Sequence, residues 1–147
     1  MGKKICLTRA MFEKVLEHLI RLEENKNRLI DEYYPEIGDE RDKFIDFLSE
    51  YVNKIDGVVE DIRISDEADN EFPFVIIGSE VEIHDVDENE VFRYKLVTPY
   101  ERDIANGHIS FLSPMGKSLL LKKKGEDVSV KTPGGIYRYR IKKIEVV

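Results

Sequence analysis

The chain has 147 residues and a formal net charge of −7, which together limit the classes of protein to which it can belong. This length suits one ordinary domain or two small ones, and 41% hydrophobic residues, with seven Phe and seven Tyr, can furnish a core. The negative charge argues against a protein that binds nucleic acid through a broad positive surface, because neutralising phosphates requires clustered Lys and Arg. Any nucleic-acid role is therefore expected to be indirect or local.

The cysteine count and the hydropathy pattern bear on the compartment. Cys6 is the one cysteine, so it cannot form an internal disulfide, and it has no metal-ligand spacing with His18, His84 or His108. The sequence contains no run of about 18 apolar residues. These features predict a protein without a membrane partner, in the reducing cytoplasm.

Two segments near the start of the chain carry hydrophobic residues at alternating three- and four-residue spacing. The first spans residues 12–33 and the second residues 44–62. Each would present one apolar seam of the kind that two packed helices share. The simplest prediction is an antiparallel helical hairpin, in which the aromatic residues of the seam serve packing.

Local signals set the ends of the two predicted helices. Thr8 is a candidate N-cap, and the first helix is expected to end near Tyr34, because Pro35 disfavours helical geometry in the residue before it. The second helix is predicted to begin at Asp39 or at the next residue, where acidic side chains favour the positive end of the helix dipole, and to run to about Val59.

The turn between the helices concentrates four carboxylates, those of Glu36, Asp39, Glu40 and Asp42. Carboxylates crowded at the end of a rod repel one another unless a cation or a basic partner meets them. One interpretation is a charge cluster that the hairpin delivers to a partner. The other is a solvated turn whose acids only cap the second helix, and the residues by themselves leave both open.

Residues 65–70 are polar and too poor in apolar side chains to pack, so they indicate a boundary between two modules. The first module is predicted to comprise residues 1–66, the helical coiled-coil hairpin with its acidic tip, and the second residues 67–147. In the second, short β-type runs alternate with turn residues, and one short helix is predicted from Ser113-Pro114 to about residues 122–124. Strands are predicted at residues 75–77, 80–84, 91–97, 109–112, 127–131 and 137–146. The predicted fold class is α+β, with a small antiparallel sheet.

Two groups of basic residues have competing interpretations. Residues 122–124, all Lys, could contact a phosphate or a protein partner, or could offset the dipole at the end of the short helix. Arg21, Lys26 and Arg28 could approach RNA on the flank of the hairpin, although a solvated helix face is the simpler explanation.

Three stretches of the second module resemble the bacterial transcript-cleavage factors of the Gre family. They are Gly-Ser-Glu-Val-Glu-Ile at residues 78–83, the Ser-Pro segment at residues 109–120, and residues 125–135, which end in Thr-Pro-Gly-Gly. The opening Leu7-Thr8-Arg9 before a long helix is also similar to the family, so the resemblance covers nearly the whole chain.

This resemblance implies a coiled-coil hairpin followed by a C-terminal domain similar to the FK506-binding fold. Such factors dock on bacterial RNA polymerase at the rim of its secondary channel, and their hairpin enters the channel. Two acidic tip residues then help to hold a catalytic Mg²⁺ of the polymerase, which itself cleaves backtracked RNA. The chain would then be no enzyme, would hold no cofactor of its own, and would meet the RNA 3′ end only indirectly, as a monomer.

The resemblance also assigns roles to residues of this chain. Gly38-Asp39-Glu40-Arg41-Asp42 follows the family's tip motif, with Asp42 in place of a glutamate. It therefore implies that Asp39 and Asp42 are the catalytic, metal-holding pair, while Glu36 and Glu40 add negative field. The implied polymerase-docking residues are those of the Ser-Pro segment, namely Ser113, Pro114, Met115, Gly116 and Lys117.

Two alternatives stand beside cleavage stimulation. Lys43-Phe44-Ile45 replaces the Asn-Ala-Glu expected after the tip, and the hairpin is shorter than in typical cleavage factors. These departures are compatible with a non-cleaving occupant of the same channel, an inhibitor or competitor like the Rnk-type proteins. A prolyl isomerase is suggested by fold analogy alone, and fold does not carry activity.

Overall fold

The computed structural model describes residues 5–100 and 107–147. Its elements, in chain order, are β1 (Ile5–Leu7), α1 (Arg9–Tyr33), α2 (Asp39–Val59), β2 (Ile62–Ile64), β3 (Ser79–Asp85), β4 (Glu90–Val97), β5 (His108–Ser110), α3 (Pro114–Leu119), β6 (Asp127–Thr132) and β7 (Gly135–Val146). The predicted α+β class, a helical hairpin followed by a sheet with one short helix, is confirmed. No helix in the described ranges is long and apolar enough to cross a membrane.

The hairpin begins and ends close to its predicted boundaries. The Thr8 hydroxyl accepts a hydrogen bond from the backbone N of Met11 at 3.3 Å, and α2 begins at Asp39. The base of the hairpin holds a feature that the sequence did not predict, a parallel pair in which β1 residue Ile5 lies opposite Ile62 of β2. Strands of three residues are too short to show an alternating pattern, so this pairing has no sequence signal.

The apolar seam of the hairpin is covered by the segment that precedes the sheet. Four seam residues of α2 are buried, and its last seam residue, Val58, is half-buried. In α1 the seam residues at every seventh position are buried. The buried residues are Phe44, Leu48, Tyr51 and Ile55 of α2 with Val15, Leu22 and Leu29 of α1. Val75, Ile76 and Ile77 are buried in the same hydrophobic core. The prediction of a strand at residues 75–77 is wrong, since this apolar run is an irregular segment packed between the hairpin and the sheet.

The large sheet has five strands in the order β5-β4-β3-β7-β6. The β3–β4 and β6–β7 hairpins have the predicted turns, but β5 pairs in parallel with β4, so the expectation of a wholly antiparallel sheet is corrected. The short helix α3 also ends earlier than predicted, at Leu119, because Leu120 is extended and Leu121 has φ 67°.

A polar relay connects the hairpin to the sheet module. The backbone N–H of Ile77 donates to the buried Tyr51 hydroxyl at 2.8 Å, and His18 Nε2 lies 2.8 Å from the same oxygen. Burial lowers the pKa of His18 to about 4, so the ring is neutral at neutral pH. In the tautomer with the proton on Nδ1, Nε2 accepts a hydrogen bond from the Tyr51 hydroxyl. Residues of both modules share one core, and the boundary placed between residues 66 and 67 stays a prediction.

The relay predicts a pH dependence of stability. Because the folded pKa of His18 is below its unfolded value of 6.5, the unfolded chain takes up a proton first, and the free energy of unfolding falls as the pH drops from about 6.5 to about 4. With solvent screening at the partly exposed ring, the loss is about 2 kcal/mol. Urea unfolding of the wild type and of His18→Gln across this range measures it. Gln keeps an acceptor for Tyr51 but does not titrate. The free energy of unfolding of His18→Gln is therefore expected to change less with pH than that of the wild type. The same pH dependence in both proteins would contradict the lowered pKa of His18.

Candidate functional site

The acidic tip is built by the break between α1 and α2. The backbone N of Tyr34 donates to Ile30 O at 2.8 Å, and the chain then reverses through residues 35–38. Gly38 precedes α2 with φ 156°, a conformation open chiefly to glycine, although no heavy atom lies within 4 Å of a Cβ placed there. The requirement for glycine at the tip is thus set by the backbone, and no crowding adds to it.

Arg41 and two aromatic rings fix the shape of the turn. Arg41 donates through Nη1 to the Tyr34 carbonyl at 3.0 Å and through Nη2 to Asp31 Oδ1 at 3.2 Å. The Tyr34 and Phe44 rings stack with centroids 4.4 Å apart. Sequence reasoning missed these roles, because Arg41 resembles any basic residue in a polar turn and Phe44 fits the helical seam. Together they bind the end of α1 to the start of α2.

The structure brings all four predicted carboxylates to this end of the hairpin. Asp39, Glu40 and Asp42 lie in the first turn of α2 and Glu36 lies in the turn before it, and all four are exposed. None of them forms an ion pair or a side-chain hydrogen bond within the described part of the chain. Asp39 and Asp42 are three residues apart, so they share one face of the helix.

These carboxylates can supply some of the ligands of a metal ion, but not a full set. Within residues 5–100 and 107–147, no three His, Cys, Asp or Glu side chains are grouped to hold a metal ion. Two exposed carboxylates on one helix face can supply part of the oxygen shell that Mg²⁺ prefers, and the remaining ligands have to come from a partner. The positive end of α2 also favours negative charge at this point.

The Ser-Pro segment forms a tight loop at the start of α3. The Ser113 hydroxyl accepts from the backbone N of Gly116 at 3.0 Å and donates to Ser110 O at 2.7 Å. Pro114 occupies the first turn of the helix, and Gly116 is buried against the backbone of residues 110–111. Pro114 and Lys117 are exposed and Met115 is half-buried. Ser113 and Gly116 therefore shape the loop, while the other three predicted docking residues form its surface.

The hairpin tip and this loop are neighbours, although they are 83 residues apart in sequence. Lys117 Nζ donates to the Tyr34 hydroxyl at 3.0 Å and lies 5.7 Å from the centre of the Tyr34 ring. Closer to the base of the hairpin, the Arg28 guanidinium lies 4.4 Å from the centre of the Tyr100 ring. The hairpin therefore lies alongside the sheet module, and no local sequence pattern could have indicated this contact.

The remaining basic residues have simple structural surroundings. Arg21 pairs with Glu17 at 2.7 Å and Arg28 pairs with Glu32 at 3.0 Å, so both cations already have counter-charges on α1. Residues 122–124 lie just beyond the end of α3 instead of in its last turn, and the choice between a partner contact and an effect on the helix dipole stays a prediction.

Comparison with known proteins decides the family. A family profile described as "Transcription elongation factor, GreA/GreB, C-term" matches residues 69–146. Transcription elongation factor GreA of Syntrophobacter fumaroxidans is 30% identical over 152 residues, covering 96% of this chain and 97% of that protein. The chain belongs to the GreA/GreB family. GreA of Thermotoga neapolitana is 32% identical, and the alignment covers 95% of this chain and 96% of that protein. GreA of Chloroherpeton thalassium is also 32% identical, and the alignment covers 99% of each protein.

Solved structures are also similar to this GreA/GreB family chain. Gfh1 of Thermus aquaticus aligns with a TM-score of 0.46 at 24% identity, over 98% of this chain and 99% of that one. A GreA/GreB elongation factor from Nitrosomonas europaea aligns with a TM-score of 0.49 at 21% identity, again over 98% and 99%.

Proposed function

We propose that this GreA/GreB family protein binds bacterial RNA polymerase at the secondary channel and stimulates cleavage of backtracked RNA. The observation that carries the proposal is the set of four exposed, unpaired carboxylates at the end of the hairpin, with Asp39 and Asp42 on one helix face. The protein is not itself an enzyme and holds no cofactor of its own. It acts as a cytoplasmic monomer and completes the endonuclease site of the polymerase.

The chemistry of the tip supports this role. Magnesium held by the polymerase would stabilise the attacking and leaving oxygens of the cleavage reaction. Asp39 and Asp42 supply carboxylate oxygens for that ion, and Glu36 and Glu40 raise the negative potential around them. Because Arg41 ties the turn to the end of α1, the two carboxylates are held in position before the partner arrives. The RNA 3′ end is thus met only indirectly.

Residues 113–117, the cap and first turns of α3, support the docking part of the proposal. Pro114, Met115 and Lys117 present a compact surface with apolar and cationic character, and Ser113 and Gly116 hold its backbone in shape. A preformed loop of this kind loses little entropy on binding. We assign it to the rim of the channel.

One observation favours a second candidate, a non-cleaving competitor for the same channel. Delivery of the tip away from the sheet module would break the contact of Tyr34 with Lys117 and that of Arg28 with Tyr100. A chain that keeps these contacts would block the channel entrance without bringing its carboxylates to the active site. The packed position of the hairpin is the specific support for this candidate.

Transcript cleavage in stalled, backtracked bacterial elongation complexes tests the proposal. Wild-type protein is added to these complexes, and its binding to the same polymerase is measured directly. Faster cleavage together with saturable binding is the expected result. Binding without acceleration, together with displacement of a known cleavage factor, would replace the first candidate by the competitor, and absence of binding would overturn both.

The position of the hairpin gives a second test. In a Cys6→Ser background, spin labels at the exposed positions Ile37→Cys and Lys131→Cys report the separation of the tip from β6. One population is expected for the free protein. Adding Tyr34→Phe removes the hydroxyl that Lys117 binds, which weakens the packed state by about 0.5 to 1 kcal/mol and is expected to broaden the distribution.

The same distance measurement on the polymerase-bound protein distinguishes cleavage stimulation from competition. A shift to longer distances on binding supports delivery of the tip, whereas an unchanged distribution in the bound state supports the competitor. A broad distribution in the free wild-type protein would contradict the packed arrangement itself.

A further inference from the structure

A cleft of about 490 Å³ separates α1 from the sheet module, within the range of about 300 to 1,000 Å³ that is typical of small-molecule sites. Its floor is apolar, made by Val15, Leu22 and Leu29 of α1 together with Ile76 and Ile77. Neither the acidic tip nor residues 113–117 at the start of α3 line it. The cleft is therefore separate from the proposed polymerase-binding site.

The rim of the cleft is cationic, in contrast to the net charge of −7 on the whole chain. Lys14 and Arg21 come from α1 and Lys95 comes from β4, and the one acidic lining side chain, Glu17, is already paired with Arg21 at 2.7 Å. Lys14 and Lys95 form no ion pair or hydrogen bond through their side chains within the described residues. Two positive charges on this rim thus lack ion-pair partners among the described residues.

Tyr100 also lines this cleft, and its side chain carries an unsatisfied polar atom. The Tyr100 hydroxyl is buried and has no hydrogen-bond partner among residues 5–100 and 107–147. A buried hydroxyl without a partner is unfavourable by about 1 to 3 kcal/mol, which a bound acceptor would recover. The apolar floor, the cationic rim and the unsatisfied hydroxyl are together complementary to a molecule that has an apolar body, a negative charge and a hydrogen-bond acceptor.

We propose that this cleft is a binding site for an organic anion with an apolar body. The body lies on the aliphatic floor, the anionic group lies between Lys14 and Lys95, and an acceptor atom receives the Tyr100 hydroxyl. Because the walls come from both modules, the bound anion holds the hairpin against the sheet module. The site does not depend on the proposed action on RNA polymerase.

The test uses the fluorescent probe 1-anilinonaphthalene-8-sulfonate, an aromatic sulfonate. Saturable binding of one probe per chain is expected, and N-phenyl-1-naphthylamine, which lacks the sulfonate, is expected to bind at least tenfold more weakly. Decyl sulfate should displace the probe, whereas inorganic sulfate at the same concentration should not. Equal affinity for the charged and neutral probes would overturn the assignment of an anion site.

Variants locate the binding. Lys14→Glu with Lys95→Glu is expected to weaken the sulfonate probe at least tenfold, while the matched reversal Lys131→Glu with Lys142→Glu, on exposed sheet positions outside the cleft, should change affinity less than twofold. Asn25→Trp fills the cleft from α1 and provides a second route if the charge reversals disturb folding. Equal effects of the two charge reversals, or unchanged affinity in Asn25→Trp, would place the probe elsewhere and refute the proposal.

Discussion

Replacing both Asp39 and Asp42 by Ala is expected to abolish the stimulation of RNA cleavage, a loss larger than the roughly 10- to 100-fold that follows when only the supporting partners of metal ligands are removed. Both side chains are exposed and share one face of the first turn of α2, so their loss removes the oxygen ligands proposed for the magnesium of the polymerase. Initial cleavage rates in backtracked complexes, at saturating protein, measure the effect. Binding to polymerase is expected to be unchanged, because the proposed docking surface lies at α3.

A matched control separates ligand loss from charge loss. Asp46→Ala with Glu50→Ala removes the same two charges from exposed positions farther along α2, and its cleavage rate should stay near that of the wild type. The tip variant loses about 0.5 to 1 kcal/mol of helix stability, since acidic groups favour the start of α2. Equal cleavage rates in the two double variants would remove Asp39 and Asp42 from the metal site, and a general field effect would remain only if both rates were equally reduced.

The parts of the fold that could be predicted are those fixed by nearby residues. The Thr8 cap, the break at Pro35 and the β3–β4 turn each depend on contacts within a few positions, and a sequence pattern reports such contacts directly. The apolar run at residues 75–77 shows the limit of this reasoning. Its composition suits a buried strand, but its position between hairpin and sheet makes it an irregular covering segment, and only the tertiary packing decides between the two.

The candidate site also has a part that the sequence predicts and a part that depends on tertiary packing. The tip carboxylates were found from the sequence because a turn between two helices brings neighbouring residues together. The contact of Tyr34 with Lys117 was not found, because it depends on how the whole hairpin lies against the sheet module. That same contact bears on whether the tip can leave the module, so the choice between cleavage and competition depends on the long-range geometry.

Replacing Gly116 by Ala is expected to destabilise the protein by about 3 kcal/mol and to weaken polymerase binding. A Cβ at this position would overlap the carbonyl oxygen of Ser110 and lie 2.8 Å from the Cα of Phe111, and both of these neighbours are backbone that cannot rotate away. The first turn of α3 would have to move off the chain beneath it, which breaks the Ser113 cap and displaces Pro114 and Lys117. Thermal unfolding and polymerase affinity measure the two effects.

The same substitution at Gly57 provides a control with the opposite sign. Gly57 lies inside α2, and no heavy atom lies within 4 Å of a Cβ placed there, so alanine adds helix propensity without a clash. It is expected to stabilise the protein by about 0.5 to 1 kcal/mol and to leave docking unchanged. If Gly116→Ala were as stable as Gly57→Ala and bound polymerase normally, the close packing of α3 on residues 110–111 would not shape the docking loop, and the assignment of that loop to the channel rim would lose its structural support.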